Sequence, residues 1–247
     1  FGEESTSTTP KFLALVGAEL AHRERVAFRL LKFLKAERRL EWLDEVLPAP
    51  LARGGVDVVV STNAIHLYGD LDATIAAWAR TLRPGGHVHV QSGNVLADAP
   101  GVVIDDTVAA AAREAERLAR ASPEEHAADL ARLDAKRTEY DDLRRRYFLP
   151  PRPLGHYVRA LEGAGLKVER VRHQPVRALA HEWYEFLAVY AEGILPWVGG
   201  AEKIDGRPAT EEDAARRLAL LRRALGAVLG GAEAFEARWT YVTCRKP

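Results

Sequence analysis

Between residues 56 and 92 the apolar positions change period twice. Val56-Asp57-Val58-Val59-Val60-Ser61 is β-branched and almost continuously apolar, the pattern of a strand covered on both faces within a parallel sheet. Leu71, Ile75, Trp78 and Leu82 then recur at steps of four, three and four, which places one face of a helix over 72–82. Arg83-Pro84-Gly85-Gly86 stops it, because proline cannot continue a helix and glycine accepts the positive φ of a cap. His87-Val88-His89-Val90-Gln91-Ser92 resumes as a strand. Strand, helix and strand with short joints predict a βαβ unit with a right-handed crossover.

On either side the pattern is mostly helical. Residues 1–10, rich in Ser and Thr, read as a loosely held arm. Residues 11–35 are helical in character but irregular in apolar spacing, with Phe12, Leu15, Leu20, Phe28, Leu31 and Leu34 among basic residues. Residues 38–43 alternate weakly, as a short strand running into a turn over 44–50. Ser122-Pro123-Glu124-Glu125 has the form of a capping box, and the helix it opens carries Leu130, Leu133, Tyr140, Leu143 and Tyr147 on one stripe, lying on a surface. Residues 154–164 read as a further helix stopped by Gly165, and 166–171 as a strand with one face exposed. Thr210 is the expected N-cap of a last helix, with Leu218, Leu221, Leu225 and Val228 buried and Gly230-Gly231 ending it. Residues 238–244, aromatic and β-branched, predict a closing strand.

Composition narrows the functional classes. With 47% hydrophobic and 28% charged residues the chain is of ordinary globular make-up, and its length suits one α/β domain over residues 1–247. Thirty-five basic and 35 acidic side chains cancel, which removes the electrostatic footprint of non-specific nucleic-acid binding. One cysteine, Cys244, supports neither a disulfide framework nor a cysteine-rich zinc site; scattered His66, His156, His173 and His181 lack metal-ligand spacing, so no metal is expected. No apolar run is long enough to span a membrane, and Phe1-Gly2-Glu3-Glu4 does not read as a signal peptide, so the expected location is cytoplasmic. A homodimer is compatible with all of this. No Gly-x-Ser-x-Gly elbow or phosphate-binding loop is present.

Several of these segments resemble a known family. Val56 to Tyr68, an Asp-led apolar strand followed by Ser61-Thr62-Asn63 and then Ile65-His66, resembles the fourth motif of the class I S-adenosylmethionine (SAM)-dependent methyltransferases, small-molecule type. Trp78 to Val88, a helix ending in Leu82-Arg83-Pro84-Gly85-Gly86, resembles the next signature of that family. Leu161-Glu162-Gly163-Ala164-Gly165-Leu166-Lys167-Val168 is similar to its join between a helix and the sixth strand, and 238–244 to its antiparallel seventh strand. The resemblance implies a Rossmann-like α/β fold, mostly parallel with an antiparallel last strand, and helical insertions over 94–150 and 176–235, the second a lid. It implies SAM as cofactor and methyl transfer to a small-molecule acceptor.

Ligands of open α/β sheets sit outside the carboxyl ends of the strands, where this chain delivers Ser61, Thr62, Asn63 and His66. By resemblance Ser61, Thr62 and Asn63 face the cofactor, as do Trp42, Leu43 and Asp44, whose carboxylate is a suitable acceptor for an adenine amine. His66 is the candidate catalytic base, and Tyr68 the neighbour facing the acceptor. Tyr147, Arg152 and His156, with Trp183 and Tyr184, are candidates for the acceptor side. Each also has a plain structural role open to it: turn capping for Thr62 and Asn63, a satisfied half-buried ring for His66, packing for the aromatic residues.

One departure bears on function. The family carries an acidic residue and Gly-x-Gly-x-Gly on its first strand and turn, and nothing of that kind precedes residue 54. The irregular register of 11–36 and the absence of methionine suggest a segment missing near Val26 and Ala27. The alternatives are a methyltransferase-like binding or scaffold protein without SAM-dependent catalysis and, less well supported by the Arg-Pro-Gly-Gly turn, a nicotinamide-dependent oxidoreductase.

Overall fold

A computed structural model of the protein describes residues 31–247. The arm, most of the irregular segment and the Val26–Ala27 position lie outside these residues. The chain first forms a small hairpin, β1 (Phe33–Leu34) against β2 (Arg39–Leu40). Leu34 is therefore extended, not helical: Arg38 takes a left-handed φ of 55° that reverses the chain. The strand expected over 38–43 is confined to β2. The turn expected over 44–50 instead winds into α1 (Leu43–Val46) and α2 (Ala49–Gly54), the latter opened by prolines at its cap and first turn.

The βαβ unit forms where the periodicity places it. Strand β3 (Val56–Thr62), helix α3 (Leu71–Thr81) and strand β4 (Leu82–Ser92) follow in order, with β3 and β4 parallel and Val59 opposite Val88. Pairing opens with Leu82 opposite Val56 and resumes at His87 opposite Val58, so Arg83 to Gly86 loop out between them. Gly85 supplies the required positive φ of 79°.

A short strand β5 (Val95–Leu96) leads to three helices, α4 (Ile104–Ala121), α5 (Pro123–Ala135) and α6 (Arg137–Tyr147). The single helix expected after Ser122 is thus two, broken at Lys136, which leaves helical geometry at φ −131°, ψ 31° and donates Nζ to Asp205 Oδ1 at 2.8 Å. Ser122 makes no side-chain cap bond, because its backbone also closes α4 through Ala119; Pro123 does occupy the first turn.

Strand β6 (Arg152–Pro153) pairs in parallel with β5, setting Arg152 opposite Val95. Helix α7 (Leu154–Gly163) and strand β7 (Lys167–Leu179) follow, the strand running eight residues past Val171, where its alternation ends. Helices α8 (Ala180–Val189), α9 (Ala191–Ile194), α10 (Glu202–Asp205) and α11 (Glu211–Val228) precede the last strand, β8 (Ala234–Arg245). Thr210 caps α11 as expected, accepting the Asp213 N–H at 3.1 Å. Leu221 and Leu225 are buried with Leu220 and Ala224, while Leu218 and Val228 are only partly covered.

The principal sheet runs β3-β4-β8-β7, with β8 antiparallel to both neighbours. This is the Rossmann-like arrangement with a reversed closing strand. Two apolar cores result. Val59, Ile65, Ile75, Trp78, Val88 and Val242 are among those that join the sheet to α3 and α7. The other lies wholly among helices, where Val108, Leu133, Tyr140, Leu187, Ile194 and Leu221 meet. The stripe of α5 and α6 is accordingly buried in that helical core, not spread on a surface.

Candidate functional site

The carboxyl ends of β3 and β4 gather a connected set of polar side chains. Asn63, immediately after β3, adopts φ 47°, a conformation that asparagine tolerates better than most residues. Its N–H donates to the Gln91 carbonyl at 2.8 Å, and its side-chain Oδ1 accepts the Gly93 N–H at 3.2 Å and the Ser92 hydroxyl at 3.4 Å. His66 follows in a 3-10 turn over Ile65–Leu67 and is 6% exposed. Its Nδ1 lies 3.2 Å from Ser92 Oγ and its Nε2 3.0 Å from Asn94 Nδ2.

The network fixes the tautomer. Asp105 N–H donates to Asn94 Oδ1 at 2.8 Å, which leaves the Asn94 amide nitrogen to donate to His66 Nε2. His66 then carries its proton on Nδ1, donates to Ser92 Oγ, and Ser92 passes its own proton to Asn63. Burial, reinforced by the charge of Arg152, lowers the His66 pKa to about 4. The ring is neutral at pH 7 with both nitrogens engaged.

Around this network stand three further groups. Arg152 donates Nη1 to the Tyr68 carbonyl at 3.0 Å. Tyr68 packs edge-on against Trp78 with centroids 5.7 Å apart, and burial raises its pKa. Tyr157 on α7 is 1% exposed, and its hydroxyl has no hydrogen-bond partner. In the first turn of α4, burial raises the Asp105 carboxyl to about 6, against the opposing effect of Asn94. Ser92, Asn94, Asp105 and Tyr157 were not among the residues nominated from sequence. The signal for the first two was present, since Ser92-Gly93-Asn94 leaves β4 at the same sheet edge as Ser61-Thr62-Asn63 leaves β3.

The nominated residues fall into three places. Ser61, Thr62, Asn63, His66, Tyr68 and Arg152 lie together at the strand ends. Trp42, Leu43 and Asp44 lie on or beside α1, where Asp44 Oδ2 accepts from Arg80 Nε at 2.6 Å in the last turn of α3, and the Arg39 guanidinium stands 4.8 Å from the Trp42 ring centre. Tyr147, Trp183 and Tyr184 belong to the helical body: Tyr147 packs on Tyr190, Trp183 Nε1 donates to Thr107 Oγ1 at 2.8 Å, and the Tyr184 hydroxyl donates to the Leu218 carbonyl at 3.3 Å. His156 instead lines an open cavity of about 650 Å³ between α3 and α7, with Asp72, Ala76 and Arg159. Among the described residues no group of three His, Cys, Asp or Glu side chains is arranged to hold a metal ion, and no helix is long and apolar enough to cross a membrane.

Two orphaned atoms bear on a cofactor. Asp44 Oδ1 and Ser61 Oγ are buried without hydrogen-bond partners, and both belong to side chains nominated for SAM. Buried polar atoms are rarely left so, and an adenine amine or an α-amino group is the kind of donor each would accept. The residues present therefore fit the group at these two atoms, while no Gly-x-Gly-x-Gly turn is found among the described residues that precede β3.

Comparison with known proteins bears on the same segment. No curated protein matches the chain. Among solved structures, a putative methyltransferase from Bacillus halodurans is 13% identical, with a TM-score of 0.40 over 78% of this chain and 65% of its own. The YcgJ protein of Bacillus subtilis is 12% identical, with a TM-score of 0.42 over 82% and 68%. A Haemonchus contortus phosphoethanolamine N-methyltransferase solved with S-adenosyl-L-methionine is 13% identical, with a TM-score of 0.33 over 77% and 33%. The chain thus spans less than two thirds of the length of the first of these. The family model described as a methyltransferase domain matches residues 10–90. That match covers about a third of the chain, and its second half is filled by β3, α3 and the start of β4.

Proposed function

We propose that this chain transfers a methyl group from SAM to a small-molecule acceptor held over the carboxyl ends of β3 and β4. The observation that carries the reading is the connected polar set at those ends, from Asn63 through Ser92, His66 and Asn94 to Asp105, on a sheet of the family's type. When bound, SAM supplies an electrophilic methyl carbon. Ser61, Thr62 and Asn63 would hold its amino-acid portion, and Trp42, Leu43 and Asp44 its adenine. Tyr68 and Arg152 would border the acceptor, with the helices that carry Tyr147, Trp183 and Tyr184 as support behind it.

In-line transfer depends chiefly on holding the nucleophile in register and keeping water out. His66 fits this as a positioning residue: neutral and bonded at both ring nitrogens, it fixes Ser92 and through it Asn63. For His66 to act as a base, Asn94 would have to release Nε2. Titration calorimetry of the full chain with SAM and S-adenosylhomocysteine tests the reading. Saturable one-to-one binding, weakened by Asp44→Ala, is the expected result; absence of binding would favour the scaffold alternative, whose supporting observation is the lack of Gly-x-Gly-x-Gly before residue 54.

A further inference from the structure

The methyltransferase reading leaves the acceptor unspecified; Arg152 and Tyr157 lie outside the hydrogen-bonded network around His66, and Asp105 joins it only through Asn94. Arg152 is half-buried, uses one N–H on the Tyr68 carbonyl, and forms no ion pair with any described carboxylate. The β5–β6 pairing holds it there, since Arg152 stands opposite Val95, one residue beyond Asn94. Tyr157, on the neighbouring helix α7, keeps a buried hydroxyl with no partner. Burial raises the pKa of that hydroxyl; the Arg152 guanidinium and backbone N–H favour its ionised form, and the Asp105 carboxylate opposes it. Asp105 donates its backbone N–H to Asn94 Oδ1 and its carboxylate also accepts from the Asn94 side chain, with lone pairs left for a further donor.

An unpaired buried donor and an un-neutralised guanidinium are both unfavourable when empty, and a single oxyanion relieves both. The Asp105 carboxylate would repel a second anion but accept from an amine or hydroxyl. We propose that Arg152, Tyr157 and Asp105 form the acceptor subsite, and that it takes a small molecule with an anionic group at one end and a hydrogen-bond-donating nucleophile, amine or hydroxyl, at the other. The anion lies on Arg152 and Tyr157, and the nucleophile donates to Asp105. This rests on the proposed methyl transfer for its biological meaning, though the binding it describes stands apart from SAM.

Calorimetry of the full chain against defined probes tests it. The probes are butyrate, 4-aminobutyrate, 4-hydroxybutyrate, the phosphate monoester of matching length, and the neutral 1,4-butanediol, with S-adenosylhomocysteine titrated separately. The expected order is aminobutyrate or hydroxybutyrate above butyrate, with the diol silent; the phosphate and carboxylate arms show which anion the subsite prefers. Arg152→Gln should weaken every anionic probe about tenfold or more, and Arg152→Lys should restore part of the loss because it keeps the charge. Tyr157→Phe should weaken the anionic probes less, and Asp105→Asn should erase the advantage of aminobutyrate over butyrate. S-Adenosylhomocysteine affinity and melting temperature, measured on each variant, separate these effects from misfolding. Equal binding of the diol, undiminished anion binding by Arg152→Gln, or no probe binding at millimolar concentration would overturn the subsite. Anion binding without S-adenosylhomocysteine binding would keep the subsite and remove methyl transfer; the converse would do the reverse.

Discussion

At the scale of single residues, His66 and Asp105 make opposite contributions to pH-dependent stability. The native pKa of His66 is lowered from 6.5 to about 4, so between these values the unfolded chain binds a proton that the folded chain does not. His66 therefore contributes stability that is present above pH 6.5 and is lost as pH falls toward 4, about 3 kcal/mol in all. Asp105 is raised from 3.8 to about 6, so its stability is present below 3.8 and lost as pH rises through 6. At pH 7 its ionised carboxylate costs the fold about 3 kcal/mol. Asp105→Asn is thus expected to raise stability at pH 7 by that order while weakening acceptor binding, a trade between stability and function. Urea unfolding at pH 4, 5.5 and 7 checks both signs: His66→Gln should flatten the loss of stability on the acid side, and Asp105→Asn should enlarge it.

The site was half legible at this scale. Ser61, Thr62, Asn63 and His66 could be nominated because a strand end in an α/β sheet is a predictable address. Asp105 and Tyr157 could not, because they come from a helix start and a second helix whose convergence depends on the β5–β6 pairing of two residues each. A two-residue strand leaves no period to read. Trp183 and Tyr184 show the other side of this. Their aromatic clustering marks both a lid and a packing seam, and only partners such as Thr107 and Leu218 show which contacts they make.

Among elements, those with a strong period and a definite stop were legible: β3, α3, β4, α7, α11 and β8. Thr210→Ala is expected to cost about 1 kcal/mol through loss of the bond to the Asp213 N–H, read as a lower melting temperature. Elements set by partners far along the chain were not legible. The break between α5 and α6 serves Lys136–Asp205 and Tyr140–Asp205 contacts to α10, 65 or more residues away. Asp129 on α5 plays a similar part, 2% exposed and accepting from Arg132, Arg216 and the Gly199 N–H. Asp129→Ala would leave that N–H buried and unpaired and strip the buried carboxylate from Arg132 and Arg216, which keep only the Trp197 carbonyl and Asp213, at a cost of about 3 kcal/mol.

For the whole molecule, the two cores suggest where such losses appear. The helical core draws on residues 108–143 and 187–225, the sheet core on 59–95 and 157–244. Native-state hydrogen exchange of Asp129→Ala is therefore expected to show lowered protection over α4, α5 and α11 while β3, β4 and β8 stay protected. Uniform loss across both sets would mean that the cores unfold as one unit.

The strand order has a consequence for binding thermodynamics. Among the described residues β3 pairs only with β4, and Val60 beside that free edge is 63% exposed. Ligand clefts in such sheets open where the strand order reverses, so under the proposed function the ground beyond β3 would be the second bank of a cleft whose first bank is Ser61 to Asn63. Under the proposed function, a segment pairing along β3 would complete the sheet and the donor cleft in one event. Docking and donor binding are then linked equilibria, each raising the apparent affinity of the other.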